Sequence, residues 1–280
     1  MKLGAHQSIS GGIHNAVTRA DRIQLSSVQI FTKAPQSWKE PELSAKQIHD
    51  FQTARTQAGF RAEDWVVHAS YLVNTCSENP DTRTRAVAAL IAEANRCDAL
   101  NIPHLVFHPG SPGKQGVDVG ISLVALAITQ ILAASADVQL LIENTAGSGK
   151  SIGHTFEQIR QIIELVPESD RVGVCFDTAH AFAAGYNIAE EKTAPLIFDE
   201  FDRIIGLERL KVIHLNDSKT KLGSRVDRHE RIGRGRIGEP LFRWLVNAPF
   251  AEHLPGILET PLEKDETYAA DIQRLRSFRR

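Results

Sequence analysis

The sequence has few cysteines, and they form no recognisable pattern. Cys76, Cys97 and Cys175 are the three cysteines among 280 residues. A small, odd and widely scattered set excludes a disulfide framework and a CxxC zinc pair, and it is typical of proteins from a reducing compartment. Cys97 and Cys175 lie in apolar surroundings, so we expect both to be small core residues.

Long apolar runs are also missing. We find no run that approaches the roughly 18–20 residues of a membrane helix. The opening MKLGAHQSIS lacks the apolar stretch of a signal peptide. We therefore expect a cytoplasmic protein with no membrane partner.

The chain carries almost no net charge. Its 32 basic and 34 acidic residues give a formal net charge of −2, which argues mildly against a nucleic-acid partner. A local basic patch, or cations bound at a carboxylate-rich site, would reverse that judgement.

The sequence also lacks internal repeats, low-complexity tracts and an interdomain linker. Its 280 residues are close to the ~250 of a single (β/α)8 barrel. We therefore expect one domain over residues 1–280 and, by default, a monomer.

What the sequence does contain is a regular alternation of short and long segments. Eight short apolar runs read as β-strands: Lys2–His6, Val28–Phe31, Trp65–Ala69, His104–His108, Val138–Glu143, Val172–Asp177, Leu210–His214 and Gly256–Glu259. Helix-like segments follow seven of them: Leu43–Ala58, Arg83–Leu100, Ile121–Ser135, Thr155–Leu165, Ala194–Ile205, Glu239–Val246 and Asp265–Arg276. The alternation predicts right-handed βαβ units and a parallel sheet.

Histidines and carboxylates occur at the ends of six of these strand-like runs. They are His68, His108, Glu143, Asp177, His214 and Glu259. A doubly wound open sheet is the alternative fold, but it would leave several of these residues far apart. A closed barrel brings them to one face. We therefore predict an α/β fold, a single (β/α)8 TIM barrel, with its active site at the C-terminal ends of the strands.

Two short motifs add three more residues of the same types. Asp177-Thr-Ala-His180 follows one strand, and Asp227-Arg-His229 has the spacing at which side chains of extended backbone point the same way. Each piece alone is more often structural, but nine nitrogen and oxygen ligands without a thiolate together indicate a catalytic metal site for Zn²⁺, Mn²⁺ or Fe²⁺. Nine ligands suffice for two or three ions. His6, at the tip of the first strand-like run, is a candidate for lining the site behind the ligands.

Several longer motifs identify a family. They are Ile142–Gly147 (IENTAG), Asp177–Asn187 (DTAHAFAAGYN), His214–Ser218 (HLNDS) and Gly223–His229 (GSRVDRH), supported by FHPGS at Phe107–Ser111. With these motifs the chain resembles, over nearly its whole length, the endonuclease IV family of apurinic/apyrimidinic (AP) endonucleases.

The resemblance implies a TIM barrel with three Zn²⁺ per chain, with Mn²⁺ or Fe²⁺ as alternatives at one or more sites. By resemblance, the first ion is held by His68, His108 and Glu143. The catalytic Glu143 bridges to a second ion, whose other ligands would be Asp177, His214 and Glu259. The third ion is held by His180, Asp227 and His229.

The resemblance also implies the substrate and the reaction. The partner would be duplex DNA with abasic sites or blocked 3′ ends, and the reaction hydrolysis 5′ to the abasic site, as in deoxyribonuclease IV enzymes. Gln36, Tyr71 and Leu72 match positions that the family inserts into DNA, although bacterial relatives commonly carry arginine in the loop of Gln36. In the arginine-rich stretch 225–236, Arg225 and Arg228 are predicted phosphate contacts; the alternative is a solvated surface charge run.

Two rival functions remain. A xylose isomerase-like sugar isomerase or epimerase would need only one metal, held by Glu143, Asp177, His214 and Glu259. A non-catalytic damaged-DNA binder is the second rival, and the full ligand set argues against it.

Overall fold

The computed structural model describes residues 1–261 and 267–280. The strands in these ranges are β1 (Lys2–Gln7), β2 (Ser27–Ile30), β3 (Trp65–His68), β4 (His104–Phe107), β5 (Gln139–Glu143), β6 (Val172–Asp177), β7 (Leu210–His214), β8 (Asp217–Ser218), β9 (His229–Glu230) and β10 (Pro255–Leu258). The helices are α1 (Asn15–Arg22), α2 (Ala45–Gln57), α3 (Pro80–Leu100), α4 (Val117–Ala134), α5 (Phe156–Leu165), α6 (Thr178–Ala184), α7 (Ala194–Ile204), α8 (Glu239–Leu245) and α9 (Thr267–Ser277).

Eight strands close into a parallel barrel in the order β1-β10-β7-β6-β5-β4-β3-β2. β1 pairs with β2 on one side and with β10 on the other, which closes the sheet without an edge. The remaining two strands, β8 and β9, form a short antiparallel pair. The predicted TIM barrel is therefore confirmed.

The apolar core has two parts. A small cluster consists of one buried residue from each of six barrel strands: Val66, Val106, Leu141, Cys175, Val212 and Ile257. A much larger cluster unites the other faces of the strands with the helices. All three cysteines are free and buried, as expected for Cys97 and Cys175.

The sequence misplaced some helix boundaries and missed two helices. α3 begins at Pro80 rather than Arg83, because the side chain of Asn79 caps the helix by accepting from the backbone N–H groups of Asp81 and Thr82. α1 and α6 were not predicted. Each is only about two turns long, and α6 follows β6 directly, with no loop between them. The predicted start of the last helix, Asp265, lies outside the described residues.

One expectation about apolar runs is wrong. α4 is 18 residues long with a mean hydropathy of 2.0, so its length and composition would allow it to cross a membrane. Its sequence contains the polar residues Asp118 and Gln130. They interrupt the apolar run, although the average over the helix is strongly apolar. In the structure α4 packs between α3 and α5 on the outside of the barrel.

Candidate metal centre

Six of the nine predicted ligands stand one level above the small core cluster. His68 lies two residues after Val66, and His108 lies two residues after Val106. Likewise, each of four other ligands lies two residues after a member of this cluster: Glu143, Asp177, His214 and Glu259. Because side chains two residues apart in a strand point to the same face, all six occupy the mouth of the barrel above an apolar floor.

Glu143 is fully buried at the centre of this ring. One carboxylate oxygen, Oε2, lies 3.0 Å from His68 Nε2 and 2.9 Å from His108 Nε2. The other oxygen, Oε1, lies 3.1 Å from His214 Nδ1 and 3.2 Å from His180 Nδ1. Each oxygen thus faces a different set of imidazoles, which is the geometry expected of a bridging carboxylate.

A second group surrounds His214. Ligand atoms of Glu143, Asp177, His214 and Glu259 all lie within 4.8 Å of one another. Asn216 Nδ2 donates to Asp177 Oδ2 at 2.7 Å, and Gln29 Nε2 donates to Glu259 Oε1 at 2.6 Å. These two amides fix the directions in which the carboxylates point.

The third group lies towards solvent. His180 Nε2 is 3.1 Å from Asp227 Oδ2, and His229 Nε2 is 3.2 Å from Asp227 Oδ1. Asp177 also lies within 4.8 Å of both histidines. The paired strands β8 and β9 hold His229 opposite Ser218, so this small hairpin carries two predicted ligands to the barrel mouth.

Buried Asp217 stabilises the segment that follows the hairpin. Its Oδ2 accepts from the Gly235 N–H at 3.0 Å, and its Oδ1 accepts from the Ile237 N–H at 2.9 Å. A Cβ at position 235 would lie 2.4 Å from Asp217 Oδ1, so the close approach requires glycine there.

Outer hydrogen bonds fix which nitrogen of three histidines faces the site. His68 Nδ1 lies 2.8 Å from Ala69 O, His180 Nδ1 lies 3.0 Å from Asn144 O, and His214 Nε2 lies 2.8 Å from Gln29 Oε1. If each of these nitrogens donates its N–H to that oxygen, the other nitrogen presents a lone pair, which faces Glu143 in His68 and His214 and Asp227 in His180. Metal-bound histidines in proteins are oriented in this way.

His229 supplies a further test of whether metal ions fit. Its buried Nε2 has no hydrogen-bond partner among residues 1–261 and 267–280, although it points towards two carboxylates. A buried unpaired ring nitrogen is unfavourable, and a bound cation would satisfy it. The donor set of imidazole and carboxylate groups suits Zn²⁺, Mn²⁺ or Fe²⁺, so the residues fit the predicted ions.

The pKa values show the same electrostatic design. Burial would raise the pKa of Glu143, but the neighbouring His108 and His214 hold it well below its usual range. Burial would lower the pKa of His180, but the charge of Asp177 and the contact with Asp227 raise it well above its usual value. Without metal, protonated histidines neutralise the charge of the carboxylates. Bound metal ions would take the place of those protons between the two kinds of side chain.

Three of the five predicted DNA-contacting residues line cavities at the same opening. Tyr71, which is 61% exposed, and Leu72 line a cavity of about 430 Å³ together with His68 and Asp227. Arg228 lines an adjoining cavity of about 390 Å³. Gln36 and Arg225 belong to neither lining.

Not every basic residue of the arginine-rich stretch is available to DNA. The guanidinium of Arg231 is buried, and its Nη2 pairs with Asp271 Oδ1 at 3.1 Å. The C-terminal Arg279 lies elsewhere, because it donates to the carbonyl of Met1, at the opposite end of the barrel from the metal centre. Arg231 therefore has a structural role within the arginine-rich stretch.

The sequence interpretation missed the amides that orient the ligands. Gln29, Asn144 and Asn216 are all buried beside the site. A polar residue between the apolar Val28 and Ile30 was the available signal for Gln29, and both asparagines lie within the quoted motifs. His6 contacts Gln29, with its Nδ1 3.2 Å from Gln29 Nε2, so it lies one residue further from the centre, as suggested.

Comparisons with known proteins agree with this geometry. A family model described as a xylose isomerase-like TIM barrel matches residues 17–278. The probable endonuclease 4 of Chloroflexus aggregans is 43% identical over 280 residues, which cover 99% of this chain and 96% of the relative. The probable endonuclease 4 of Geobacter sulfurreducens is 41% identical over 280 residues, with 99% and 93% covered.

Solved structures share this fold at different levels of sequence identity. Endonuclease IV from Thermus thermophilus is similar with a TM-score of 0.88 and 35% identity, covering 99% of this chain and 98% of that one. A D-tagatose 3-epimerase-like protein covers 99% and 97% with a TM-score of 0.74 but only 19% identity, which shows a shared fold alone. The chain belongs to the endonuclease IV family of AP endonucleases.

Proposed function

We propose that this protein is a DNA-repair endonuclease. It hydrolyses the phosphodiester bond 5′ to an abasic site in duplex DNA and leaves a 3′-hydroxyl and a 5′-deoxyribose phosphate. Hydrolysis of blocked 3′ ends, as in deoxyribonuclease IV enzymes, belongs to the same proposal. The names of its relatives support it, since those proteins are called probable endonuclease 4.

One observation carries the proposal beyond the fold. Four residues around His214 would satisfy a single-metal isomerase, but five further ligand-type side chains converge on the same opening. They are His68, His108, His180, Asp227 and His229. Their contacts with Glu143 and with one another support a centre of three ions rather than one.

We assign one ion, zinc in the first instance, to each of three groups. The first group is His68, His108 and Glu143; the second is Glu143, Asp177, His214 and Glu259; the third is His180, Asp227 and His229. Divalent ions bound there would activate water near neutral pH and neutralise charge on the phosphate. Glu143 is the proposed catalytic residue because it would hold two groups in a fixed relation.

The residues around the opening would select the damaged nucleotide. An abasic nucleotide has lost its base stacking, so it leaves the duplex at lower cost than an intact one. The exposed ring of Tyr71, with Leu72 and Gln36, would occupy the gap that remains. Arg225 and Arg228 would bind phosphates and fix the position of the duplex.

A nicking assay tests the proposal. The substrate is a labelled duplex with one abasic site, and the control is the same duplex intact. We expect a nick 5′ to the lesion whose 3′ end a polymerase extends directly, and loss of nicking with a chelator. Sugar epimerisation without nicking would favour the isomerase, and abasic-DNA binding without nicking in zinc-replete buffer would favour the damaged-DNA binder. A single domain over residues 1–280, a monomer and a cytoplasmic location stay predictions.

A further inference from the structure

A buried ionic cluster lies beside the metal centre without contributing to it. Thr32, Lys33, Glu93 and Arg96 are each at most 5% exposed. Arg96 Nε donates to Thr32 Oγ1 at 2.8 Å, and the same hydroxyl donates to Glu93 Oε2. Arg96 Nη2 lies 3.1 Å from Glu93 Oε2 and donates to Glu40 Oε2 at 2.7 Å.

This cluster joins helix α3 to a segment with no helix or strand of its own. Glu93 and Arg96 belong to α3, whereas Thr32, Lys33 and Glu40 belong to the stretch between β2 and α2. Lys33 Nζ lies 3.1 Å from Glu40 Oε1 and donates to Ser37 O at 2.5 Å. Because buried charges are costly unless they are paired, these contacts select one conformation of segment 32–41.

The same segment carries Gln36 and touches the loop of Tyr71. Ser70 Oγ donates to Pro35 O at 2.5 Å and accepts from the Leu72 N–H at 3.2 Å. Ser70, which itself lines the cavity of about 430 Å³, therefore connects segment 32–41 to the loop of Tyr71 and Leu72. A continuous set of contacts runs from Arg96 through segment 32–41 to the loop of Tyr71 and Leu72.

The outer part of the segment is also held against α3. The guanidinium of Arg85 stacks over the ring of Trp38, 4.7 Å from its centroid. On the inner side, the ring of Tyr71 meets Phe31, the residue before Thr32, edge to face with centroids 5.2 Å apart. Side-chain packing, rather than backbone hydrogen bonds of a β-sheet, thus holds Trp38 at one end of these contacts and Tyr71 at the other.

We infer that Glu93 and Arg96 are positioning residues that hold the Gln36 segment and the Tyr71-Leu72 loop in the conformation that binds abasic DNA. The inference rests on the proposed function. Neither residue contacts a metal-ligating group, so their loss should weaken substrate binding and leave the chemical step and the metal content unchanged.

The test compares variants that alter the cluster with a matched control. Thr32→Val removes the central hydroxyl and keeps the shape of the side chain, whereas Thr32→Ser retains the hydroxyl. Arg96→Met removes the guanidinium. The control is Arg55→Met. Arg55 is also a buried arginine, at 7% exposure, and binds the carbonyls of Leu100 and Asn101 at the C-terminal end of α3, without contacting segment 32–41 among the described residues.

For a single-abasic-site duplex, Thr32→Val and Arg96→Met should raise KM on the order of tenfold or more, since small misplacements of binding groups have such effects. Their kcat and zinc content should match the wild type, and hydrogen exchange should increase in segments 32–41 and 70–73. Thr32→Ser and Arg55→Met should keep the wild-type KM.

Equal KM values for Thr32→Val, Thr32→Ser and Arg55→Met, with incision by the wild type intact, would overturn the positioning role alone. If Arg96→Met does not fold, the Thr32 pair decides the question. Failure of the wild type to incise the duplex would overturn the proposed function and this inference with it.

Discussion

Glu143 connects the separate groups of the metal centre through a single side chain. Its two oxygens contact four imidazoles at distances of 2.9 to 3.2 Å, and no part of it reaches solvent. A carboxylate buried among histidines needs either protons on them or metal ions. The residue is therefore both the centre of charge balance and the proposed catalytic bridge.

Replacing this carboxylate should abolish incision. We expect Glu143→Ala to reduce nicking of abasic DNA by at least about a hundredfold, because even the loss of outer partners of metal ligands costs 10–100-fold. Bound zinc should fall while the far-UV circular dichroism spectrum stays unchanged. Glu157→Ala, at an exposed position of α5, is the control, and wild-type nicking by Glu143→Ala would refute the bridging role.

The third group should make metal binding depend on pH. Burial would lower the pKa of His229, but the charge of Asp177 and the contact with Asp227 raise it from 6.5 to about 9 in the metal-free protein. This histidine therefore stabilises the metal-free fold below pH 6.5, and the contribution is lost as pH rises through 9.

Because a metal ion needs the neutral imidazole, zinc must displace the proton of His229 below pH 9. We expect zinc affinity at this group to increase with pH up to about 9. Calorimetry at about pH 7.5 in two buffers of different ionisation enthalpy should reveal proton release on binding. An affinity that is constant between pH 6.5 and 9 would contradict this assignment.

At the residue scale, the sequence predicted the proposed metal ligands but not the side chains that orient them. All nine proposed ligands are histidines or carboxylates next to strand ends or in short motifs. Gln29 and Asn216 orient those ligands, but an amide is common everywhere in a sequence. Only the closed barrel shows that Gln29 reaches both His214 and Glu259.

At the scale of elements, the barrel strands were predictable and the short connections were not. Buried parallel strands are short apolar runs, which stand out from the amphipathic helices between them. The hairpin of β8 and β9 has two residues in each strand, too few for any periodicity. Its position depends on side-chain contacts with distant residues, such as that between Arg231 and Asp271.

That ion pair should stabilise the element that carries the third group. Arg231→Met leaves Asp271 buried without its guanidinium, and removing one member of a buried pair costs roughly 3–5 kcal/mol. We expect the free energy of unfolding in urea to fall by about this amount. Arg234→Met, an exposed arginine nearby, should have almost no effect, and equal losses in the two variants would argue against a structural role for Arg231.

At the scale of the whole molecule, closure of the barrel unites residues that are nearly two hundred positions apart. Six strands each place one ligand at the barrel mouth. Each ligand lies two residues after an inner core residue, so both side chains point to the inside of the barrel. The same barrel occurs in a D-tagatose 3-epimerase-like protein, so the fold alone does not determine the reaction. The proposed first and third ions depend on further side chains. His68 and His108 stand at the ends of β3 and β4, and His180, Asp227 and His229 come from α6 and the hairpin of β8 and β9.

Zinc titration of the metal-free protein tests the central claim most directly. Incision of a duplex with a single abasic site is measured after each addition of zinc. The three groups of ligands predict that incision rises with added zinc and reaches its plateau at three equivalents per chain. A plateau at one equivalent, or no incision at any zinc concentration, would contradict a trinuclear nuclease centre.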